Sequence, residues 1–495
     1  MKILALNPPF YPRYSRSQRS PAVIKSGVIY YPLWLAYAVG ALEQDGFAVT
    51  LVDAPAAGND LRQVLELAGD LQPRLVVVET STPSIYNDLE VSEAVKDRVP
   101  GAFVLLVGSH VTALPEDALR MGPSVDAVVR GEYDHTVRDV ARFLDSGGSL
   151  AKIQGLSYRG LDGAIRHNPD RPPIQNLDAL PFVSKVIKRH LRVEDYFYSI
   201  ARYPEVTIVT GRGCPHRCAY CLWPQTVTGH QFRGRSVANV ADEFEYIARE
   251  LPQVKEIFIE DDTLTLDPDR SLALAQELIS RGNRLPFSAN ARANVGYEVL
   301  ERLKRAGLRL LCVGFESGDQ AVLKGMRKGI RVEQFFRFRK DARRAGVRIH
   351  GCFMAGGPGE TRDSLARTLE LAKVLEPDTA QFFPLMVYPG TEAYEWASRQ
   401  GYLTTGDFRQ WLTPEGLHRS VVSQPGLTAE DLVAWCDQAR RAFYLRPRYV
   451  AAKAWEVLAH PAEAGRILRA AHVFSKYLFR SSGAAAKGTA CGEAV

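Results

Sequence analysis

Three cysteines, Cys214, Cys218 and Cys221, stand in a Cys-x3-Cys-x2-Cys array inside GRGCPHRCAYCLWPQTVTGHQFRGRS, Gly211 to Ser236. They follow the apolar β-branched run Glu205 to Thr210, which reads as a strand delivering its ligands on a tight loop at its C-terminal end. Three thiolates this close can hold three irons of a cubane cluster and leave the fourth iron without a protein ligand. That open iron is where chemistry can occur. A closed zinc site takes four ligands, and no second Cys-x2-Cys follows here, although His216 and His230 keep a zinc reading open. Ferredoxin-type electron carriers use four cysteines per cluster, in a run that is absent. Simple core packing is a poor account of the clustering, because the chain has only seven cysteines.

At these residues the chain resembles the radical S-adenosylmethionine (SAM) superfamily, whose signature is the same cysteine array with an aromatic residue before the last cysteine. Tyr220 fills that position. The resemblance implies a 4Fe-4S cluster on Cys214, Cys218 and Cys221, with the amino and carboxylate groups of SAM on the open iron. It implies reductive cleavage of SAM to a 5′-deoxyadenosyl radical that attacks an unactivated carbon, and an external one-electron reductant such as a flavodoxin or ferredoxin.

A chain of 495 residues exceeds one ordinary core, and its 46% hydrophobic and 24% charged content is that of a globular protein. The 62 basic residues outnumber 56 acidic ones only slightly, a mild argument for an anionic substrate or a membrane surface. No nucleic-acid partner is expected. Met1 to Leu6 reads as a strand and not as a secretory signal, and no stretch approaches the roughly 18 apolar residues of a spanning helix. An odd number of cysteines gathered at one site fits a reducing cytoplasm.

Residues 1–145 alternate apolar runs with helical patterns. Strands are expected at Lys2 to Asn7, Val49 to Val52, Leu75 to Glu79, Phe103 to Val107 and Ala127 to Val129, with helices at Leu33 to Asp45, Leu61 to Gly69 and Ile85 to Arg98. That order implies a doubly wound, flavodoxin-like parallel sheet with its ligand beyond the carboxyl ends of the strands. The pieces NPPF, VDAPA, ETSTPS, VGSHVTALPED and VVRGEYD resemble the cobalamin-binding domain that precedes the radical domain in one large radical SAM class. The resemblance places Asn7, Asp53, Thr80, Ser81, Thr82, Gly108, His110, Gly131 and Glu132 around cobalamin. No Asp-x-His-x-x-Gly motif is present, so His110 is expected to make a turn or tail contact and not to bind cobalt. For any one of the hydroxyls a strand-end cap is an equally good account.

Residues 146–205 read as a packed connector, opening with a hairpin turned at Asp162-Gly163. From 206 to 395, strands at Glu205 to Thr210, Glu256 to Asp262, Pro286 to Ala291, Leu308 to Ser317, Arg348 to Gly356 and Thr379 to Val387 alternate with helices. This is the pattern of a partial (β/α)6 barrel of the TIM type, with chemistry at the C-terminal ends of its strands. By resemblance, Glu260, Asp261 and Asp262 meet the SAM ammonium, Arg292 with Ser288 meets its carboxylate, Glu316 and Ser317 meet the ribose, and Gly356, Gly357 and Glu360 let backbone approach the nucleoside. Trp223, Gln225, His230 and Tyr388 are candidates for lining the substrate cavity. Cys312, Cys352 and Cys436 fall in apolar patterns and read as core thiols.

Residues 396–480 are expected to be helical. A basic amphipathic helix from Ala462 to Arg480 either packs over the barrel or touches a membrane surface, and 481–495 is expected to be a disordered tail. The segments CLWPQTVTGHQFRGRS, NPDRPPIQNLDALPFV and RAFYLRPRYV resemble the branch containing the hopanoid cyclitol-ether ring-contraction enzyme, within the class that includes the anaerobic porphyrin cyclase. Methyl transfer to a small-molecule or lipid-like substrate is the activity expected. Ring contraction or cyclisation is the alternative, and an iron-sulfur electron-transfer protein the alternative of another kind.

Overall fold

The computed structural model describes residues 1–459. The basic helix and tail expected beyond Ala462, with Cys491, lie outside the described residues.

Seven strands form the first sheet: β1 (Lys2–Asn7), β2 (Ala48–Asp53), β3 (Leu75–Thr80), β4 (Phe103–Gly108), β5 (Ala127–Val129), β6 (Leu156–Arg159) and β7 (Ile165–His167), in the order β2-β1-β3-β4-β5-β6-β7. β1 to β5 are parallel, as the intervening helices require, and every residue of β3 is buried because helices cover both faces. The hairpin expected in the connector is β6 and β7, which pair antiparallel onto β5 and extend this sheet.

A six-stranded parallel sheet follows, made of β8 (Glu205–Ile208), β11 (Glu256–Ile259), β12 (Phe287–Ala291), β13 (Leu308–Glu316), β14 (Arg348–Ala355) and β15 (Thr379–Pro384). Its strands neighbour one another in chain order, and β8 does not pair with β15, so this is an open partial barrel. A short ladder of β9 (Gly211–Arg212) and β10 (Arg233–Gly234) spans the two sides of the cysteine loop. β8 is shorter than its apolar run, because the amide of Thr210 leaves the ladder for the carboxylate of Asp261 at 2.6 Å. Residues 400–428 form a mostly irregular strap, and the single turn Phe408–Trp411 within it packs Phe408 against His110 of the first domain.

One hydrophobic core runs through both sheets. The carboxyl edge of the first sheet meets the mouth of the barrel, and buried ion pairs join them. Arg212 of β9 forks onto Asp134 at 2.8 and 3.0 Å, with both side chains 5% exposed or less, and its guanidinium also lies over Trp34 and Tyr37. Arg233 of β10 forks onto Glu132 at 2.6 and 2.9 Å. Glu132, expected at cobalamin, is therefore a joint between domains; it also accepts the amide of Ile174. Removing one member of such a pair strands a buried charge, which costs about 3–5 kcal/mol. Arg212→Ala is expected to lower the unfolding free energy by that amount, and Arg212→Leu combined with Asp134→Leu by clearly less. Denaturant titration of the three proteins measures both.

Candidate active site

The cysteine loop is held by its neighbours more than by itself. Gly213 has φ +85°, and a Cβ there would lie 2.1 Å from the carbonyl oxygen of Gln231, so only glycine brings the chain into Cys214. The amide of Gln225 donates to the carbonyls of Cys218, Ala219 and Cys221 at 3.2, 3.1 and 2.8 Å, and His230 Nδ1 lies 3.0 Å from the carbonyl oxygen of Cys214. Asp261 accepts from the amides of Thr210 and Gly211 at 2.6 and 3.0 Å and from the hydroxyl of Thr210 at 2.6 Å. The structure thus gives Asp261 the role of a loop clamp where an ammonium contact was expected. Gln225 and His230 likewise brace the loop.

The thiols fit a multi-iron cluster and not a single ion. Among the described residues, Cys214, Cys218 and Cys221 form no set of three ligand atoms within 4.8 Å, with one another or with His216 and His230. Zinc needs all its ligands at about 2.0–2.3 Å from one centre, so the zinc reading falls. Burial pushes the Cys214 thiol up to about 11, and Arg292 donates to Cys218 Sγ at 3.4 Å.

Beside the thiols lies a polar triad. Tyr220 Oη donates to Glu316 Oε1 at 2.9 Å, and Lys328 Nζ reaches both Glu316 Oε1 at 2.8 Å and Tyr220 Oη at 3.0 Å. Glu316 sits in the left-handed region at φ +63°, uncommon for a residue with a side chain. Its second oxygen, Oε2, is buried without a partner, as are Arg292 Nε, Glu260 Oε2 and the hydroxyls of Thr263 and Thr265. Buried polar groups normally pair. Orphaned acceptors, donors and hydroxyls beside the cysteines suit a ligand carrying an ammonium, a carboxylate and ribose hydroxyls, which is SAM.

Other expected SAM contacts are engaged elsewhere. Ser288 is the second residue of β12, near the start of the strand, and donates to Glu256, which also pairs with Arg309. Ser317 caps the following turn through the amide of Asp319 at 3.1 Å and meets Thr368. Glu360 binds Ser364 and the amide of Gly356. A Cβ on Gly356 would stand 2.7 Å from Leu432, and one on Gly357 2.3 Å from Met326, so glycine at both positions lets these side chains pack against the backbone. Glu260 and Asp262 face Arg19 of the first domain, whose guanidinium lies 3.3 Å from Glu260 Oε1, 2.7 Å from Asp262 Oδ1 and 4.2 Å over the Trp223 ring. Trp223 also packs edge-on against Trp34, and Tyr388 is bonded to Ser20 at 3.1 Å.

Across the interface, the carboxyl edge of the first sheet carries its own unpaired groups. His110 Nε2 and Glu79 Oε2 are buried without partners. His110 Nδ1 lies 3.2 Å from Thr82 Oγ1, and burial lowers the imidazole to about 3, so it is neutral. Gly108 has φ +118°, and a Cβ there would meet the carbonyl oxygen of Thr80 at 2.4 Å. Asn7 and Asp53 bond each other at 2.8 Å and are anchored by Arg16 and Tyr196. Ser81 bonds Tyr14 and Ser84 at 2.8 Å. Thr80 caps the carbonyl of Val107 at 2.8 Å, the strand-end role. Gly131, φ +74°, turns the chain into Glu132. A glycine-lined edge with orphaned polar atoms fits a large amide-rich ligand such as cobalamin.

Lys328 and Arg19 are the functional residues that sequence reasoning missed. Neither stands at a strand end: Lys328 lies in the Arg-Lys-Gly turn after the helix Gln320–Gly325, and Arg19 lies deep in the long connection between β1 and the helix Leu33–Gln44. The only local hint is charge.

Comparison with known proteins agrees with this geometry. The Radical SAM superfamily model matches residues 208–372 and the B12 binding domain model residues 19–141. A Pyrococcus horikoshii protein described as an uncharacterized methyltransferase is 31% identical, over 84% of this chain and 88% of that one. The anaerobic magnesium-protoporphyrin IX monomethyl ester cyclase of Rubrivivax gelatinosus is 28% identical, over 74% of this chain and 66% of the other. In fold, the radical SAM methyltransferase TsrM of Kitasatospora setae superposes with a TM-score of 0.71 at 21% identity, covering 89% of this chain and 90% of that one. The chain is a cobalamin-binding enzyme using a 4Fe-4S cluster and SAM. It belongs to the radical SAM superfamily, with sequence similarity to the anaerobic porphyrin cyclases and the fold of TsrM.

Two outcomes follow. Lys328→Met is expected to leave iron content unchanged and weaken SAM binding about 10- to 100-fold, the loss of a hydrogen bond to a charged group, measured by equilibrium dialysis. Burial raises Glu79 from 4.5 to about 7. The folded chain then holds a proton that the unfolded chain releases above 4.5, so this residue's contribution to stability falls as pH rises from 4.5 to 7. In the cofactor-free protein, the stability difference between wild type and Glu79→Gln is expected to favour the wild type more at pH 5.5 than at pH 7.5, read by calorimetry of the two proteins at both pH values.

Proposed function

We propose that the protein methylates an unactivated carbon of a small-molecule or lipid-like substrate. The observation that carries this reading is the facing of two sites: the cysteine loop with its Tyr220–Glu316–Lys328 triad on the barrel, and the glycine-lined edge of the first sheet, closed together by buried ion pairs. When bound, the cofactors supply a 5′-deoxyadenosyl radical on one side and a transferable methyl group on the other. The chain's own residues hold, orient and exclude. Cys214, Cys218 and Cys221 carry the cluster, and Arg292 and Lys328 place cationic groups beside it. Glu316 and Tyr220 orient the ribose end of SAM. Trp34 and Trp223, packed edge to face between the domains, keep water from the interface. The description of the Pyrococcus horikoshii relative as a methyltransferase supports the reading.

Radical ring contraction or cyclisation is the second reading, favoured by the likeness to the porphyrin cyclase and by the finer resemblance to the hopanoid ring-contraction branch. Both readings take an electron from a flavodoxin- or ferredoxin-like donor and place the protein in the cytoplasm, without nucleic acid. Among the described residues no helix is long and apolar enough to cross a membrane. The test is anaerobic incubation of cluster-loaded protein with hydroxocobalamin, SAM and a strong reductant, followed by mass spectrometry. Methyl transfer predicts S-adenosylhomocysteine together with 5′-deoxyadenosine; ring chemistry predicts the deoxynucleoside alone. Cys218→Ala is expected to yield no deoxynucleoside. Absence of detectable SAM binding to the loaded wild-type protein would overturn both.

A further inference from the structure

We propose that Cys312, His350 and Cys352 form a zinc site on the inner wall of the barrel, distinct from the iron-sulfur loop, with a fourth coordination position open to the barrel interior. The sequence gives no hint of it, since the cysteines lie 40 residues apart within apolar strand runs. Parallel pairing of β13 and β14 brings them together: Cys312 stands opposite His350, and Gly314 opposite Cys352. One ligand atom from each of the three residues lies within 4.8 Å of the other two, and among the described residues no other such set of histidine, cysteine and carboxylate groups occurs.

The sulfur separation decides between a disulfide and a shared ion. Cys312 Sγ and Cys352 Sγ are 3.6 Å apart. Two thiolates bound tetrahedrally at a Zn–S distance of about 2.3 Å stand about 3.8 Å from each other. A disulfide needs about 2.05 Å and a Cα separation below about 7 Å. Diagonal positions on neighbouring strands, one ladder spacing across and two residues along, have Cα atoms about 8 Å apart. Backbone placement thus opposes a disulfide and suits a bridging ion.

Direction and orientation agree. Leu311, Val313 and Phe315 alternate with the residues in question, and Phe315 packs outward against Phe335 and Phe338 of the helix Val332–Ala345. Cys312 therefore faces inward, where it packs with Phe258, Leu310 and Tyr198. The partial exposure of both cysteines is to that interior. His350 Nδ1 lies 2.8 Å from Thr379 Oγ1 and the ring also meets the Gln381 side chain, polar partners of the kind that orient a ligating imidazole. Two thiolates and one imidazole are a zinc donor set, and three protein ligands are the number that leaves a coordination position for water or a substrate donor. On β13, Cys312 and Gly314, the partner of Cys352, precede Glu316 on the way to the carboxyl end of the strand.

The experiment uses full-length protein with a reconstituted cluster, given excess zinc and then treated with a chelator, with zinc and iron counted by plasma mass spectrometry. The expected result is about one retained zinc per chain beside the cluster iron, with X-ray absorption showing two sulfurs at about 2.3 Å. Cys312→Ser with Cys352→Ser is expected to lose the zinc and keep the iron, and Cys214→Ala with Cys218→Ala and Cys221→Ala the reverse; retained iron reports that the first variant is folded. Thr379→Val, which keeps every ligand, is expected to weaken zinc affinity about 10- to 100-fold. Wild-type protein holding no more zinc than the Cys312/Cys352 variant, or zinc that leaves with the cluster cysteines, would overturn the site.

Discussion

The arrangement depends on a pair of buried arginine forks. Arg212 and Arg233 stand on the two short strands that bracket the cysteine loop, and each is matched to a carboxylate on the carboxyl side of the first sheet. Guanidinium and carboxylate both pay heavily for leaving water unless the match is bidentate. That condition makes the interface one geometry and not a range of them. The cysteine loop is thereby tied to the carboxyl side of the first sheet.

Local structure serves the same end. Asp261 at the end of β11 draws the amides of Thr210 and Gly211 away from the strand ladder, and Gln225 gathers three carbonyls of the loop from the other side. The loop needs such external bracing because three of its positions are ligands and one is a glycine in the left-handed region. Glu316 adds strain of its own at φ +63°, held by Tyr220 and Lys328. Strained backbone of this kind is characteristic of sites where a side chain must point in a prescribed direction.

Much of this was legible in the sequence. The cysteine spacing, the five parallel strands of the first sheet and the strands of the barrel are local patterns, and the structure places them within a few residues of expectation. Side-chain partners across space were not legible. Glu132 and Asp261 sit at strand ends where ligand contacts were expected, yet one joins the domains and the other clamps a loop, because their partners lie 101 and 51 residues away. Ser288 was misplaced because its strand starts at Phe287 and turns that hydroxyl toward Glu256. Arg19 reaches Asp262 across 243 residues, and Cys312 meets His350 only through strand pairing. No window of sequence contains those pairs.

The single core running through both sheets makes the first domain something other than a detachable module. Were the two sheets to unfold together, a ligand bound to either half would be felt by the whole, occupancy at a hundred times its dissociation constant adding about 2.7 kcal/mol to folding. A cofactor bound to either domain would thus firm the other through the shared core. Loading order would then matter to maturation, the first cofactor to arrive firming the protein that receives the next.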